Sequence, residues 1–315
     1  MEFRRLGASG LKVSDISLGS WLTYGGYVER ENAVKSIQTA YGLGVNFFDT
    51  ANVYERGAAE VVVGETLRAF PRESYVLATK VFGRMGDGVN DQGLSRKHIM
   101  EQCDASLKRL GMDYIDIYYC HRFHQDTPVQ ETLRALDDLV RSGKVLYVGV
   151  SMWTAAQMEE ALAVADRLLL DRIVVNQPLY NMFDREIEKE IIPLGEQKGI
   201  GQVVYSPLAQ GLLTGKYTSA SKEEMPQDSR AAKLGADRMK LNGDRVEKVH
   251  QLTAIANELD ITMSQLALAW VLRQQNVSSA LVGASRPEQV EENVSASGIK
   301  LSEDIVQAIE SILTA

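Results

Sequence analysis

Four residues suited to acid–base chemistry lie at or just beyond the ends of consecutive apolar segments. Asp49, Lys80 and His121 each follow an apolar run, and Tyr54 lies five residues beyond Asp49. In a parallel α/β protein such runs are buried strands, and their carboxyl ends meet at the edge of the sheet where active sites form. We therefore expect the four side chains to lie close together in the folded chain.

These side-chain types fit the reduction of a carbonyl group by hydride. Hydride addition places negative charge on the carbonyl oxygen, so a proton donor must lie beside it. Tyr54 is a weak acid, with a pKa of roughly 10 in water, and a nearby cation lowers that pKa. We expect Lys80 to supply this cation and Asp49 to hold Lys80 charged and in place. His121 would donate a hydrogen bond to the same oxygen and orient the substrate.

Each of the four residues also has an ordinary structural interpretation. Tyr54 could be an amphipathic loop tyrosine, Lys80 a solvated strand end, and Asp49 a helix N-cap or turn former. His121, beside Arg122 and His124, could belong to a surface cluster, and the two histidines three residues apart could be half of a metal site. No carboxylate or thiolate is spaced to complete such a site, so we expect no metal. The ordered occurrence of all four residues after strands favours the catalytic interpretation.

The composition excludes several classes of protein. Of the 315 residues, 45% are hydrophobic and 24% charged, which is typical of a globular protein. The net charge of −8 and a pI near 5.2 give no electrostatic case for nucleic-acid binding. No apolar run approaches the roughly 20 residues needed to cross a bilayer, and no secretory signal begins the chain. Two cysteines, Cys103 and Cys120, fit a reducing cytoplasm.

Apolar runs alternate with helical periodicity along most of the chain, which predicts parallel strands connected by helices. Seven of these runs end in polar residues near positions 20, 49, 80, 121, 151, 177 and 205. Only a closed sheet brings so many strand ends to one mouth. The sequence therefore predicts an α/β fold: a (β/α)8 TIM barrel with an N-terminal β-hairpin over residues 1–15 and extra C-terminal helices. We expect one domain spanning residues 1–315.

The patterns also predict individual elements. The expected barrel strands cover residues 16–18, 45–48, 75–79, 114–120, 145–150, 173–175, 202–205 and 279–282. The expected helices cover residues 32–43, 58–70, 95–110, 129–140, 155–167, 184–198, 244–259, 262–274, 287–295 and 302–313. Ser95 is a plausible N-cap. Residues 208–243 have weak periodicity and are expected to form a lid over the mouth of the barrel.

Known nucleotide-binding motifs are absent from this pattern. No G-x-G-x-x-G fingerprint follows a predicted strand, which weakens the alternative of an open doubly wound sheet. The glycine-rich stretch 83–88 has the wrong spacing. The segment Gly211–Lys216 is not a P-loop, because its glycines are too close and Tyr217 replaces the required Ser or Thr. A cofactor must still supply the hydride, because no side chain can.

The ordered motifs resemble the aldo-keto reductase family over nearly the whole chain. Asp49, Tyr54, Lys80 and His121 are similar to its catalytic tetrad. Segments 206–217 and 283–293 resemble its cofactor-binding segments. Within the family, segments 19–21, 94–99 and 277–293 resemble the branch of voltage-gated potassium channel β-subunits and their bacterial relatives. Those subunits carry Asn where this chain has His121, which favours a working enzyme.

The resemblance implies NADP(H) as the cofactor and the residues that would hold it. Ser151 and Gln177, with Asn176 as a further candidate, would hold the carboxamide, and Tyr205 would stack on the nicotinamide ring. Ser285 and Arg286 would bind the 2′-phosphate, since they precede a predicted helix and Arg offers a bidentate fork. The full set of implied cofactor contacts is Ser20, Trp21, Asp49, Ser151, Met152, Gln177, Tyr205, Ser206, Pro207, Leu208, Gln210, Lys216, Arg230, Gly283, Ser285, Arg286, Gln289, Glu292 and Asn293.

Three functions remain open at this point. The first is an NADPH-dependent reductase of aldehydes and ketones, with Tyr54 as the general acid and a small carbonyl compound as its substrate. The second is a regulatory, channel-subunit-like protein that holds NADP(H) as a redox signal. The third is an enzyme that oxidises a sugar or polyol. Trp21, Tyr24, Phe82, Phe123 and Trp153 are either a substrate wall or ordinary packing. The resemblance makes a homotetramer an option.

Overall fold

The computed structural model describes residues 1–21, 24–26, 28–217 and 242–315. Eight parallel strands form a barrel in chain order, which the last strand closes by pairing with the first, and two further strands form an antiparallel hairpin. The predicted TIM barrel with an N-terminal hairpin is therefore confirmed. The strands are β1 Phe3–Arg5, β2 Lys12–Ser14, β3 Ile16–Gly19, β4 Phe47–Asp49, β5 Val76–Val81, β6 Ile115–Cys120, β7 Val145–Ser151, β8 Val175–Gln177, β9 Gly201–Tyr205 and β10 Val277–Gly283.

The helices described by the structure surround the barrel and extend beyond its last strand. Those longer than one turn are α1 Arg30–Gly42, α2 Ala58–Leu67, α3 Arg96–Leu110, α4 Val129–Arg141, α5 Ala155–Leu168, α6 Ile191–Lys198, α7 Gly243–Glu258, α8 Met263–Leu272, α9 Pro287–Val294 and α10 Glu303–Thr314. Ser95 is the N-cap of α3 and accepts a hydrogen bond from the His98 amide at 3.2 Å, as predicted. None of the described helices is long and apolar enough to span a membrane.

Side chains alternate between the inside and the outside of the barrel along each strand. Phe47, Ile117 and Val203 belong to an apolar cluster inside the barrel. Phe48 and Tyr118 belong to the layer between the strands and the helices. This alternation follows from the period of two in a strand. It places Asp49, Lys80 and His121 on the inward side. Along its own strand, each lies an even number of residues after an inward-facing side chain.

The hairpin closes the amino end of the barrel. Leu6 and Val13 are fully buried in the interior cluster. The amide of Ala8 donates to the carbonyl of Gly199 at 2.9 Å. Gly7 has φ +58°, and a Cβ there would lie 2.3 Å from the Gly199 carbonyl oxygen, so this close approach requires glycine. With that end filled, the carboxyl end is left for ligands.

One predicted helix was wrong. Residues 184–198 form a short turn, Glu186–Glu188, followed by α6 rather than one continuous helix. Glu190 has φ −134°, which breaks the helix three residues before Pro193. A proline lacks an amide proton, and its ring clashes with the carbonyl four residues earlier, so it is tolerated only in a first turn. The sixth barrel strand also lies later than predicted, because β8 begins at Val175.

Candidate active site

The carboxyl ends of β4, β5 and β6 bring three of the four candidate catalytic residues together. Asp49 ends β4, Lys80 lies near the end of β5, and His121 directly follows β6. These strands are hydrogen-bonded neighbours in the barrel. Tyr54 begins the short turn after β4, and the backbone amide of Asn52 donates to the Lys80 carbonyl at 3.2 Å, which holds this loop against β5.

Asp49 and Lys80 form a buried ion pair. The Lys80 ammonium donates to the Asp49 carboxylate and to the backbone oxygen of Thr50 at 2.8 Å. The amide of Gln177, from β8, donates to the second carboxylate oxygen of Asp49 at 2.9 Å. Burial lowers the pKa of Lys80 and raises the pKa of Asp49, and the charge of each partner opposes both shifts. A buried charge is stable only when it is paired and hydrogen-bonded, and both Lys80 and Asp49 meet this condition here.

Tyr54 and His121 lie directly beside this pair. The Lys80 ammonium is 5.1 Å from the centroid of the Tyr54 ring. The Tyr54 and His121 rings meet edge to face, with centroids 5.6 Å apart and planes at 76°. The four residues that the sequence singled out therefore form one cluster. A carbonyl oxygen placed between the phenol and the imidazole could accept hydrogen bonds from both.

The pKa of Tyr54 shifts in the opposite direction to the one expected. Burial raises it well above 10, the charge of Asp49 raises it further, and the charge of Arg122 opposes both effects. The expected lowering by Lys80 was wrong because burial dominates the pKa of Tyr54 and the charge of Asp49 adds to its effect. Tyr54 therefore keeps its proton. Burial, with Lys80 and Arg122, lowers the pKa of His121 well below 6.5, so its imidazole is neutral.

Backbone strain is concentrated around the mouth of the barrel. After Tyr54, both Glu55 and Arg56 have left-handed backbone angles, with φ 47° and 51°. Met152, Ser206 and Gln210 have positive φ as well, in the loops after β7 and β9. Such residues cost of order 1–3 kcal/mol each and are common at functional sites.

A cleft of about 990 Å³ begins at this cluster and extends across the mouth of the barrel. Its volume lies at the upper end of the range of small-molecule and cofactor sites. Most of the residues that the sequence implied for a cofactor line it. They are Trp21, Asp49, Ser151, Gln177, Tyr205, Ser206, Pro207, Leu208, Gln210, Lys216, Gly283, Ser285, Arg286, Gln289, Glu292 and Asn293.

Three implied contacts are placed differently, and a fourth lies outside the described residues. Ser20 is buried below the cleft, where its hydroxyl donates to Thr50 Oγ1 at 2.9 Å. Met152 is exposed beside the cleft, and its sulfur accepts from the Tyr205 hydroxyl at 3.3 Å. Asn176 is buried and donates to the Gln202 side chain at 3.2 Å. Arg230 lies outside the described residues, as does most of the expected lid.

The far end of the cleft lies at the start of α9. Arg286 is the N-cap residue of this helix and makes no side-chain cap, Pro287 has no amide proton, and the Gln289 amide donates to the Arg286 carbonyl at 3.2 Å. The Gln289 side-chain oxygen accepts from the amide and the hydroxyl of Ser285 at 2.9 and 3.1 Å. Arg286 is exposed, with Glu288 3.8 Å away. This end could accept an anion through the guanidinium and the helix N-terminus.

Several cleft residues were missed by the sequence analysis. Those not singled out include Val28, Glu29, Asn32, Val53, Glu55, Arg122, Thr214 and Ser264. Arg122 had a usable signal, because it directly follows His121 at a strand end. Among the candidate aromatic wall residues, Trp21 lines the cleft. Tyr24 and Trp153 are buried packing residues, and Phe123 packs edge to face on Trp153 at 4.9 Å. Among the described residues, no group of His, Cys, Asp or Glu could hold a metal ion.

Comparisons with known proteins agree with this geometry. The model of the Aldo/keto reductase family matches residues 15–314. A protein of Arabidopsis thaliana named "Probable voltage-gated potassium channel subunit beta" is 45% identical over 99% of this chain and 97% of its own length. A protein of the same name from Oryza sativa subsp. japonica is 44% identical over the same shares. A "Putative voltage-gated potassium channel subunit beta" of Schizosaccharomyces pombe is 42% identical, over 99% of this chain and 93% of its own length.

Proposed function

Since this chain belongs to the aldo/keto reductase family, we propose that it is an NADPH-dependent reductase of aldehydes and some ketones. The observation that carries the proposal is the buried Asp49–Lys80 pair beside the Tyr54 ring and the neutral His121, at one end of a long cleft. This arrangement offers a proton donor, a charge that offsets Asp49, and a second hydrogen-bond donor for one carbonyl oxygen.

The cleft has a donor set that fits NADPH. The Ser151 hydroxyl donates to the Gln177 carbonyl at 2.9 Å and keeps its lone pairs for a carboxamide N–H. Tyr205 offers a flat ring, and Arg286 lies at a helix N-terminus suited to a phosphate. When bound, NADPH would supply the hydride and be oxidised to NADP⁺.

In the proposed mechanism Tyr54 protonates the oxygen on which negative charge develops. Its raised pKa does not prevent this step, because an alkoxide is a base comparable to hydroxide, whose conjugate acid has a pKa of about 15.7. Lys80 offsets the charge of Asp49, which would otherwise oppose loss of the Tyr54 proton. His121 is neutral and donates a hydrogen bond to the same oxygen, which orients the carbonyl carbon.

The test is the substitution Tyr54→Phe, followed by the loss of NADPH absorbance with a reactive aldehyde. We expect turnover to fall by about 10²–10⁴-fold, the usual contribution of a general acid, while NADPH binding persists. Tyr41→Phe is the control, because Tyr41 lies on α1 with its hydroxyl against Ser74 at 2.9 Å. Wild-type turnover in Tyr54→Phe would refute the role of this phenol.

A second candidate function is supported by the names of the relatives, which are called channel β-subunits. In this case the chain would hold NADP(H) as a signal and turn over very slowly. His121 favours the enzyme, since it adds a hydrogen-bond donor at the reacting end of the cleft. A single-turnover measurement with NADPH-loaded protein separates the enzyme from the sensor. The sensor predicts tight cofactor retention, with hydride transfer far slower than substrate binding.

We further propose that residues 1–315 form one domain in the cytoplasm. Barrel strands run from Ile16 to Gly283, and the family match extends to residue 314. Cys103 and Cys120 are free and buried, which fits a reducing compartment.

A homotetramer remains part of the proposal, and sedimentation analysis would measure the subunit number.

A further inference from the structure

One cation at the reacting end of the cleft has no carboxylate partner among the residues that the structure describes. Asp49 and Lys80 neutralise each other in their ion pair. Tyr54 keeps its proton, and His121 is neutral. This cation is Arg122, which directly follows His121 and lines the cleft. A substrate carbonyl that reaches Tyr54 therefore lies in a cleft that the Arg122 guanidinium also lines.

The position of Arg122 leaves its guanidinium open to a ligand. One N–H donates to the backbone oxygen of the neighbouring His121 at 2.7 Å, which holds the guanidinium against this part of the backbone. Among the residues that the structure describes, no carboxylate is paired with Arg122. The side chain is exposed, yet its charge affects the pKa of both Tyr54 and Tyr205. The remaining donors form the planar fork that binds carboxylates bidentately.

Besides Asp49, the other charged residues that line the cleft belong to other loops and helices than Arg122: Glu29, Glu55, Lys216, Arg286 and Glu292. Glu29 and Glu55 belong to the loops after β3 and β4, whereas Arg122 follows β6. The Glu55 carboxylate packs against Gly26, where an added Cβ would lie 2.8 Å from its oxygen. Arg286 is at the far end of the cleft, at the start of α9.

We propose that Arg122 is a specificity residue that selects aldehydes carrying a carboxylate. The guanidinium binds the carboxylate while the aldehyde oxygen lies between Tyr54 and His121. This inference rests on the proposed reductase function and names the substrate class for the same site. The aldehyde is reduced to an alcohol as proposed above, and the carboxylate takes no part in the electron transfer.

The experiment compares two aldehydes of similar size that differ in charge, 4-carboxybenzaldehyde and its neutral methyl ester, methyl 4-formylbenzoate. The ratio of their kcat/KM values is measured at saturating NADPH in the wild type, Arg122→Gln and Arg167→Gln. Arg167 is the matched control, because it is an exposed arginine on α5 that does not line the cleft. Comparing ratios between proteins cancels the different intrinsic reactivity of the two aldehydes.

We expect the acid-to-ester ratio to fall about tenfold in Arg122→Gln, mainly through KM, and to stay unchanged in Arg167→Gln. The wild-type ratio should also fall as salt is added, because the guanidinium is exposed. An unchanged ratio in Arg122→Gln overturns the proposal. If both aldehydes lose activity equally while the Kd for NADPH rises, Arg122 serves the cofactor, and the proposal is also overturned.

A binding measurement separates this inference from the proposed activity. Calorimetric titration with 4-(hydroxymethyl)benzoate, the expected product, is performed with and without NADPH and needs no turnover. A Kd about tenfold higher in Arg122→Gln than in the wild type supports the carboxylate site even if neither aldehyde is reduced. Absence of NADPH oxidation with both aldehydes would refute the reductase alone, whereas equal Kd values would refute the role of Arg122 alone.

Discussion

A buried ammonium is stable in a protein only when its charge and donors are fully compensated. Lys80 is completely buried and donates to the Asp49 carboxylate and the Thr50 carbonyl. Asp49 in turn accepts from Gln177. At the scale of single residues, this pair therefore both stabilises the barrel mouth and sets the electrostatics of Tyr54.

Replacing Lys80 by methionine should leave the Asp49 carboxylate buried without a counter-charge. We expect the free energy of unfolding to fall by about 3–5 kcal/mol, the usual cost of breaking a buried pair. Urea denaturation would measure it. In the control Lys97→Met, which removes an exposed pair with Glu101, the change should stay within about 0.5 kcal/mol. Equal losses in both variants would contradict this account.

The pKa shifts predict a broad pH range of activity. The pKa of His121 is lowered, so it stays neutral as the pH falls through 6.5, and the pKa of Tyr54 is raised, so it stays protonated as the pH rises towards 10. We expect kcat/KM for aldehyde reduction to be flat between about pH 6.5 and 10, because neither group titrates there.

A pH–rate profile of the wild type and His121→Asn would check this prediction. Asparagine keeps a hydrogen-bond donor at this position but does not titrate. A wild-type break near pH 6.5 that disappears in His121→Asn would show that the histidine titrates within the range, against the prediction.

At the scale of elements, the pairing register of the barrel strands decides which side chains pack below the Asp49–Lys80 pair. Tyr119 of β6 pairs with Lys80 of β5 on one side and with Gly149 of β7 on the other. The Lys80 ammonium is 5.8 Å from the Tyr119 ring centroid. Gly149 leaves room for that ring, since an added Cβ would lie 2.7 Å from two of its carbons. The floor below the ion pair therefore depends on a glycine in the neighbouring strand.

Gly149→Ala should consequently destabilise the protein by overpacking. We expect a loss of about 1–3 kcal/mol, because both Tyr119 and Val175 would have to move. Thermal and urea unfolding would measure the loss. Gly42→Ala is the control: Gly42 ends α1, no atom lies within 4 Å of an added Cβ, and the change should stabilise slightly. A Gly149→Ala protein as stable as the wild type would show that the ring is free to shift.

At the scale of the whole molecule, the two ends of the barrel have different tasks. The hairpin fills the amino end with Leu6 and Val13, and the cleft occupies the carboxyl end. Stability and ligand binding are therefore separated along the barrel axis, as in barrel enzymes generally. Substitutions at the hairpin should affect folding without changing the site.

Leu6→Ala tests this separation. Leu6 is completely buried, so we expect a loss of about 2–5 kcal/mol in unfolding free energy with an unchanged Kd for NADPH. Leu43→Ala, at a leucine that is 41% exposed, should cost much less. Denaturation curves and cofactor titrations of the two variants are the measurements. A weakened NADPH affinity in folded Leu6→Ala would show that the two ends are coupled.

Much of this architecture followed from local patterns. Apolar runs that alternate with helical periodicity predicted the barrel, since parallel strands need helical crossovers. The same pattern placed Asp49, Lys80 and His121 at one edge, because the carboxyl ends of parallel strands share that edge. The break in the helix predicted over 184–198 was also present in the sequence, as Pro193, but its effect was overlooked.

The sequence alone therefore determined the barrel, its hairpin and the grouping of the four candidate catalytic residues, because these depend on periodicity and strand direction. Only the tertiary structure decided the electrostatics and the lining of the cleft. Burial and the charge of Asp49 raise the pKa of Tyr54, and both effects depend on distances in the folded chain. Arg122 stays without a carboxylate partner among the described residues for the same reason: charges that pair or remain unpaired are set by the folded chain, not by their order along it.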